Sequence, residues 1–277
     1  MLASVLIGFR EALEASLIIG IILSYLIKTN KEKYNNIVYI GILSALIAST
    51  ISAFLLNFLV GGFEGLSEQI FEGIVMFLAA IILSYMIIWM VGQRSIVHNL
   101  KNNISKELDS KKKFGLFFLS FISVFREGVE TILFLGAASF ASDSNNNFLG
   151  VLIGITFAVF LGYLIFVGSK HIKIKKFFRI TSVLLILFAA GLFANSIHEF
   201  QEAKIIPIIK EEIWNLNPTI NLDGSFPVLH EKGVIGSLLK GLFGYNGNPN
   251  LLEFIIWVSY LTGMMFFYIK YINRTQN

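Results

Sequence analysis

Seven apolar stretches of about 20 residues each account for most of this 277-residue sequence. A helix of that length crosses about 30 Å of hydrocarbon and satisfies its own backbone hydrogen bonds, which lipid cannot do. Only 14% of the residues are charged, against roughly 25% in an ordinary soluble domain. The sequence therefore predicts an all-α, polytopic membrane protein, with spans at about 2–27, 37–60, 70–92, 114–139, 148–169, 178–199 and 252–272.

The first apolar stretch is interpreted as a span of the mature protein and not as a signal peptide. It lacks a basic n-region, is longer than a signal-peptide core, and carries Arg10, Glu11 and Glu14. The compact length and the lack of an organellar targeting segment favour a multi-pass location in the plasma (inner) membrane of a bacterium.

Basic residues alternate between the two sides of the predicted spans. The first, third and fifth connections and the C-terminal tail hold 16 of the 22 lysines and arginines, while the second and fourth connections hold none. Cytoplasmic loops carry an excess of such residues, so the N-terminus is predicted outside and the C-terminus in the cytoplasm. The basic clusters are accordingly interpreted as topology signals and not as a nucleic-acid surface.

A charged motif occurs twice, 116 residues apart, as "GFREALEAS" from residue 8 and "VFREGVETI" from residue 124. Because one copy lies in an inward-running span and the other in an outward-running span, the chain is predicted to contain inverted repeats. A single permease domain, 1–277, then comprises repeat 1 (about 1–93), repeat 2 (about 114–200), an extracellular loop (about 200–251) and a last helix (about 252–272). A short membrane-surface helix is expected in that loop, within "GVIGSLLKGLFGY".

The two motifs predict a site of four carboxylates near the bilayer midplane. Glutamates three residues apart share one face of a helix, and burying such charge in a span is costly enough to indicate a pathway. The ligands are predicted to be Glu11 and Glu14 from one helix, with Glu127 and Glu130 from the other. All-oxygen ligands suit hard multivalent cations, and the absence of cysteine removes thiolate sites.

Other interpretations of this pattern are weighed against the cation site. Two arginine–glutamate pairs could simply join helices, but each motif has one glutamate more than such a pair needs. The cation could be manganese, calcium or lead, and a membrane di-iron oxidase or a non-transporting scaffold are further alternatives. Di-iron sites typically use Glu-x-x-His motifs, whereas no histidine lies deep in a span here. Met86 and Met90, around Trp89, could be soft metal ligands but are expected instead to face lipid or to pack.

Acidic residues also gather at the predicted outer ends of two spans, where they are expected to concentrate cations. Glu64, Glu68 and Glu72 are spaced four apart before and within the third span. The sixth span ends in "NSIHEFQEA", which places His198, Glu199 and Glu202 close together on a helix. Glu72, between Phe71 and Gly73 at the start of an apolar run, is the strongest candidate among them.

The duplicated Arg-Glu-x-x-Glu resembles the signature of the high-affinity iron permeases, the oxidase-dependent iron transporters and their bacterial ferrous/ferric relatives. "FEGIVMFLAAIILSYMIIWM", "AAGLFANSIHEFQEA" and the segment before the last span are similar to that family too. Where the family prefers glycine after the first glutamate, the first copy has alanine. The resemblance implies that the four glutamates bind iron, that Arg10 and Arg126 support them, and that Glu72, Glu199 and Glu202 are accessory contacts.

This resemblance implies a transporter and not an enzyme, with iron as substrate and no cofactor. We expect ferric or ferrous iron to enter the cytoplasm by alternating access of the two repeats. Family members commonly act with an iron-handling partner: a multicopper oxidase in fungi, or a cupredoxin-like and a haem peroxidase-like protein in bacteria. An extracytoplasmic iron oxidase or iron-binding partner is therefore expected. The sequence leaves open the oligomeric state, the coupling ion and the oxidation state of the iron.

Overall fold

The computed structural model describes residues 2–92, 113–141, 147–167, 174–221 and 225–276, and these contain helices and no strand. This confirms the prediction of an all-α chain. The predicted cytoplasmic connection 93–112, rich in lysine, lies outside the described residues. The helices are α1 (Leu2–Lys28), α2 (Asn35–Val60, after a 3-10 turn at Glu32–Tyr34), α3 (Leu66–Gly92), α4 (Lys113–Phe140), α5 (Asn147–Val167), α6 (Ile174–Glu202), α7 (Val234–Phe243) and α8 (Leu251–Gln276).

Five stretches of the described chain are long and apolar enough to cross a bilayer: 32–58, 66–90, 147–164, 179–202 and 251–272. The two motif-bearing helices, α1 and α4, are 27 and 28 residues long, but each has three charges near its middle, which lower its hydropathy. Large apolar side chains project from the surface of the bundle, for example Phe54 and Phe58 of α2, which are 76% and 80% exposed. Such a surface suits lipid and not water, as expected of a multi-pass membrane protein.

The N-terminal part of helix α1 runs parallel to α5. Near the start of both helices, Ser4 donates a hydrogen bond to Asn147 over 2.8 Å. Further along, Ser16 of α1 lies against Gly162 of α5. Between these points, an added Cβ at Gly154 would meet the backbone of α1, so the two helix axes approach closely. This approach fixes the position of the α1 motif.

The other helices pack in a related arrangement. α2 runs parallel to α4, with Gly41 against Ser120 and Gly128 against Ser49. α3 and α6 are antiparallel, since Gln69 at the start of α3 is hydrogen-bonded to Glu202 at the end of α6. α1 also contacts α4, and α8 packs against α3 and α6.

The largest core cluster lies where α3 and α6 meet α1, α4 and α8. It includes fully buried side chains such as Met76 and Leu83 of α3, Phe134 of α4 and Ile186 of α6. Smaller clusters pack α1 against α5 and join α1, α2 and α4. The expected short helix of the long loop is observed as α7, which packs against α6.

Candidate cation site between α1 and α4

The motif of α1 is almost completely buried and its charges are paired with one another. Arg10 donates from Nη1 to Oε1 of Glu11 over 2.9 Å, and its Nη2 lies 3.1 Å from Oε1 of Glu14. The Arg10 and Glu11 side chains are 0% and 1% exposed, and Glu14 is 13% exposed. Residues four apart are neighbours on a helix surface, which accounts for the Arg10–Glu14 pair. The Arg10–Glu11 contact depends instead on the length of the arginine side chain, because adjacent residues do not face each other on a helix.

The motif of α4 has the same residues in a different arrangement. Arg126 donates from Nε to Oε1 of Glu130 over 2.8 Å, and its side chain is 41% exposed. Among the described residues, Glu130 is the only carboxylate within 4 Å of the Arg126 guanidinium. Glu127 is nevertheless buried, with 4% of its surface exposed, and faces α1 instead.

Three carboxylates from the two motifs converge. One oxygen each of Glu11, Glu14 and Glu127 lies within 4.8 Å of the others, and no other group of three acidic, histidine or cysteine side chains in the described chain does so. Glu11 and Glu127 are close enough to interact electrostatically. Two oxygens on one hard cation lie no further apart than twice the metal–oxygen distance, roughly 4–5 Å. The spacing therefore matches the dimensions of a cation site.

Several oxygens in this cluster lack a donor. Oε2 of Glu11, Glu127 and Glu130 is buried without a hydrogen-bond partner. Buried carboxylate oxygens are normally paired, because an unpaired one loses its hydration without compensation. A proton or a metal cation between the carboxylates would supply the missing interaction.

Glu130 is close enough to Glu14 to interact electrostatically with it, but one of its oxygens is taken by Arg126. The structure thus brings together three of the four predicted ligands and places the fourth beside them. Arg10 and Arg126 lie where the sequence predicts, each next to carboxylates of its own motif.

Side chains of α3 complete the surroundings of the arginines. The guanidinium carbon of Arg126 lies 5.1 Å from the centre of the Trp89 ring, and Nη2 of Arg10 lies 3.7 Å from Sδ of Met90. Met86 is buried in the core, as expected of a packing residue. The contacts of Trp89 and Met90 with the two arginines were not predicted, since spacing along α3 does not say what its end faces.

The accessory residues predicted at the outer end do not converge on one point as Glu11, Glu14 and Glu127 do. Glu64 and Glu68 are exposed, and Glu72 is half-buried within α3. Glu199 lies within electrostatic range of Glu68 and Glu202. Nε2 of His198 lies 3.1 Å from Glu202, which also accepts a hydrogen bond from Gln69 over 2.9 Å.

The sequence reasoning missed Glu253, which is central to this end of the bundle. Its carboxylate is 5% exposed, lies 2.7 Å from Nδ1 of His198, and accepts hydrogen bonds from Asn246 and Asn250. A lone carboxylate three residues into the last apolar run, in "NPNLLEF", was the available signal. It joins α8 to the end of α6 and so fixes the orientation of His198.

Comparison with known families matches residues 1–275 to the iron permease FTR1 family. The ferrous iron permease EfeU of Escherichia coli O6:H1 strain CFT073 is 34% identical over 94% of this chain and 92% of its own length. EfeU of Yersinia pestis is 33% identical over 94% and 90%, and a protein of Archaeoglobus fulgidus is 30% identical over 96% and 93%. No solved structure matches the chain.

The matches cover both motifs and all the helices between them, and they agree with the resemblance drawn from the duplicated Arg-Glu-x-x-Glu. The chain belongs to the iron permease FTR1 family.

Proposed function

We propose that this protein moves iron across the membrane through the carboxylate cluster between α1 and α4. The observation that carries the proposal is the convergence of Glu11, Glu14 and Glu127 from two distant segments at a buried position. In this proposal these three residues bind the cation directly. Glu130 lies beside them as the fourth carboxylate and holds Arg126.

The charges of the cluster support a multivalent cation as its ligand. Four glutamates and two arginines leave a deficit of two positive charges when all six groups are ionised. Buried charge without compensation is costly, so a divalent or trivalent cation stabilises the ionised cluster. Hard oxygen ligands accept iron in either oxidation state. The related proteins are named ferrous iron permeases, so Fe²⁺ is the first cation to test.

The helix packing supports transport by alternating access of two inverted repeats. We assign α1–α3 and α4–α6 to the repeats. Exchanging them turns the α1–α5 pair into the α4–α2 pair, and leaves the α3–α6 and α1–α4 pairs unchanged. This is the pairing expected of a pseudo-two-fold axis in the membrane plane, with seven spans, the N-terminus outside and the C-terminus in the cytoplasm. The cation cluster then lies on the axis, where rocking of one repeat exposes it to either side.

The outer acidic side chains are proposed as accessory contacts that attract cations before they enter. They lie near the start of α3 and the end of α6, and Glu253 orients His198 among them. The accessory set is Glu64, Glu68, Glu72, His198, Glu199 and Glu202.

Uptake of ⁵⁵Fe²⁺ into liposomes that contain the purified protein tests the proposal. Glu11→Gln and Glu127→Gln are isosteric changes, and each is expected to reduce uptake to the level of protein-free liposomes. Glu32→Gln, which changes an exposed carboxylate outside both the cluster and the accessory set, is the matched control and is expected to retain uptake. Uptake at the wild-type rate in both site variants, with protein that elutes as a folded species, contradicts the assigned site.

Competition separates iron from other hard cations. Excess Mn²⁺, Ca²⁺ or Pb²⁺ is added outside the liposomes, and the ion that the site prefers is expected to suppress ⁵⁵Fe²⁺ uptake at the lowest concentration. Suppression by one of these ions at concentrations well below that of iron identifies that ion as the substrate instead.

A further inference from the structure

Two consecutive residues at the C-terminal end of α3 contact the arginines of both motifs. Trp89 lies under the guanidinium of Arg126, 5.1 Å from ring centre to guanidinium carbon. The sulfur of Met90 accepts a hydrogen bond from Nη2 of Arg10 over 3.7 Å. Neighbouring residues on a helix project about 100° apart, so the end of α3 lies between the two arginines.

We propose that Trp89 and Met90 are positioning residues of the cation site, and that Trp89 acts by keeping Arg126 away from Glu127. The inference rests on the proposed function, since it concerns the same carboxylates. It adds a third helix to a site that the two motifs alone do not complete.

The α1 motif shows how an arginine pairs where none of the described aromatic rings lies against it. Arg10 is paired with Glu11, the residue directly after it, as well as with Glu14. Arg126 precedes Glu127 in the same way, but its ion pair within 4 Å is with Glu130. The negative face of an indole ring attracts a guanidinium, most strongly among the aromatic side chains. The Trp89 contact therefore competes with pairing between Arg126 and Glu127.

Keeping this pair apart matters for cation binding. Glu127 faces Glu11 and Glu14 across the site, and one of its oxygens is buried without a donor. A guanidinium that moved onto Glu127 would satisfy that oxygen and compete with the metal. Trp89 thus keeps a metal ligand available without being one itself, because its indole nitrogen is only a hydrogen-bond donor.

The position of α3 gives this contact a further consequence. Most of α3 is packed in the core against α6, and α8 also lies against it. A displacement of α3 relative to α1 and α4 would therefore move Trp89 and Met90 with it, and release both arginines together. Movement of the third helix of a repeat would in this way change the number of free carboxylates at the site.

Anaerobic titration of the purified protein with Fe²⁺ tests the inference through a double-mutant cycle. Trp89→Leu is expected to weaken Fe²⁺ binding about tenfold, the factor that corresponds to a partly buried cation–π contact. Trp89→Phe keeps an aromatic face and is expected to recover most of the affinity. In the Arg126→Gln background, Trp89→Leu is expected to have almost no effect, because no guanidinium remains to compete.

Tyr85→Leu provides the matched control, since Tyr85 is an aromatic residue of the same helix with 65% of its surface exposed. An equal loss of affinity from Trp89→Leu with and without Arg126 indicates a general packing effect and overturns the inference. Unchanged affinity in Trp89→Leu overturns it as well. Met90→Leu is expected to produce a smaller loss, about twofold to threefold, because sulfur is a weak acceptor.

A measurement without iron separates this inference from the proposed function. The chain has three tryptophans, so Trp214→Phe with Trp257→Phe leaves Trp89 as the only indole emitter. Arg126→Gln is then expected to shift its fluorescence, and an unchanged spectrum contradicts the contact. A wild-type protein that binds no Fe²⁺ contradicts the proposed function, whereas wild-type binding that survives in Trp89→Leu contradicts only the inference.

Discussion

The Arg-Glu-x-x-Glu motifs of α1 and α4 have the same charged residues at the same spacing, but their arginines lie in different surroundings. Arg10 is completely buried and interacts with both glutamates of its motif. Arg126 is 41% exposed, interacts with Glu130 and rests on the Trp89 ring. The environment and not the motif therefore decides which carboxylate each arginine neutralises.

The consequence is that the two halves of the proposed site have different tasks. The α1 half contributes two glutamates whose charge is partly balanced by one buried arginine. The α4 half leaves Glu127 available and keeps its own arginine at the side of the site. A duplicated motif has thus become an asymmetric pair, and substitutions at equivalent positions are expected to have unequal effects.

Removal of the buried arginine is expected to have the largest effect. Arg10→Gln leaves Glu11 and Glu14 buried without their cation, and breaking a buried ion pair in this way typically costs about 3–5 kcal/mol. Arg126→Gln, the matched change, is expected to cost less, because it leaves one glutamate without its cation instead of two, and Arg126 itself is 41% exposed. Thermal unfolding in detergent, followed by intrinsic fluorescence, measures both. Equal unfolding temperatures contradict the asymmetry.

The second-largest difference is expected between variants of the carboxylates. It concerns the affinity for Fe²⁺ and not the stability of the fold. Glu14→Gln removes one of the three converging ligands, while Glu130→Gln removes the partner of Arg126. Substitution of outer-shell residues in metal sites costs roughly 10–100-fold in affinity, so we expect about a tenfold loss for Glu130→Gln. Glu14→Gln removes a direct ligand and is expected to cost more than that, on the order of a hundredfold or above. Anaerobic Fe²⁺ titration measures both values.

This comparison also tests how many glutamates bind the ion. Glu14 and Glu130 have similar exposure, 13% and 14%, and each interacts with the arginine four residues before it, which makes them matched variants. A larger loss for Glu130→Gln than for Glu14→Gln would show that Glu130 leaves Arg126 and enters the site when iron binds. The proposed division into three direct ligands and one supporting carboxylate would then be wrong.

Much of this arrangement could be predicted from the sequence because helices in lipid follow from apolar length alone. The spacing of Glu11 and Glu14 placed both on one face of a helix, and the duplication indicated a second pair. The sequence does not determine where the ends of α3 and α8 lie relative to the site. For this reason the contacts of Trp89 with Arg126, and of Glu253 with His198, were found only in the structure.

Glycine packing behind the two motifs provides the smallest expected difference. Gly154 of α5 lies against the backbone of α1, where an added Cβ would come 2.6 Å from the amide nitrogen of Phe9, the residue before Arg10. Backbone cannot move aside as a side chain can, so Gly154→Ala is expected to destabilise the protein by about 1–2 kcal/mol. The unfolding temperature in detergent and the affinity for Fe²⁺ are both expected to fall.

Gly128, inside the α4 motif, is the matched position, and its neighbour there is the side chain of Ser49. The Ser49 hydroxyl can rotate away, but its Cβ would lie 2.8 Å from the added Cβ and moves only with the backbone of α2. Alanine in a helix is favoured over glycine by about 1 kcal/mol, which offsets part of this cost, so Gly128→Ala is expected to destabilise the protein less than Gly154→Ala. The first motif already has Ala12 at this position. A loss from Gly128→Ala as large as that from Gly154→Ala would mean that α2 and α4 pack as rigidly as α1 and α5. The helix packing behind the two motifs would then be equally rigid. The motifs would differ only in the surroundings of Arg10 and Arg126.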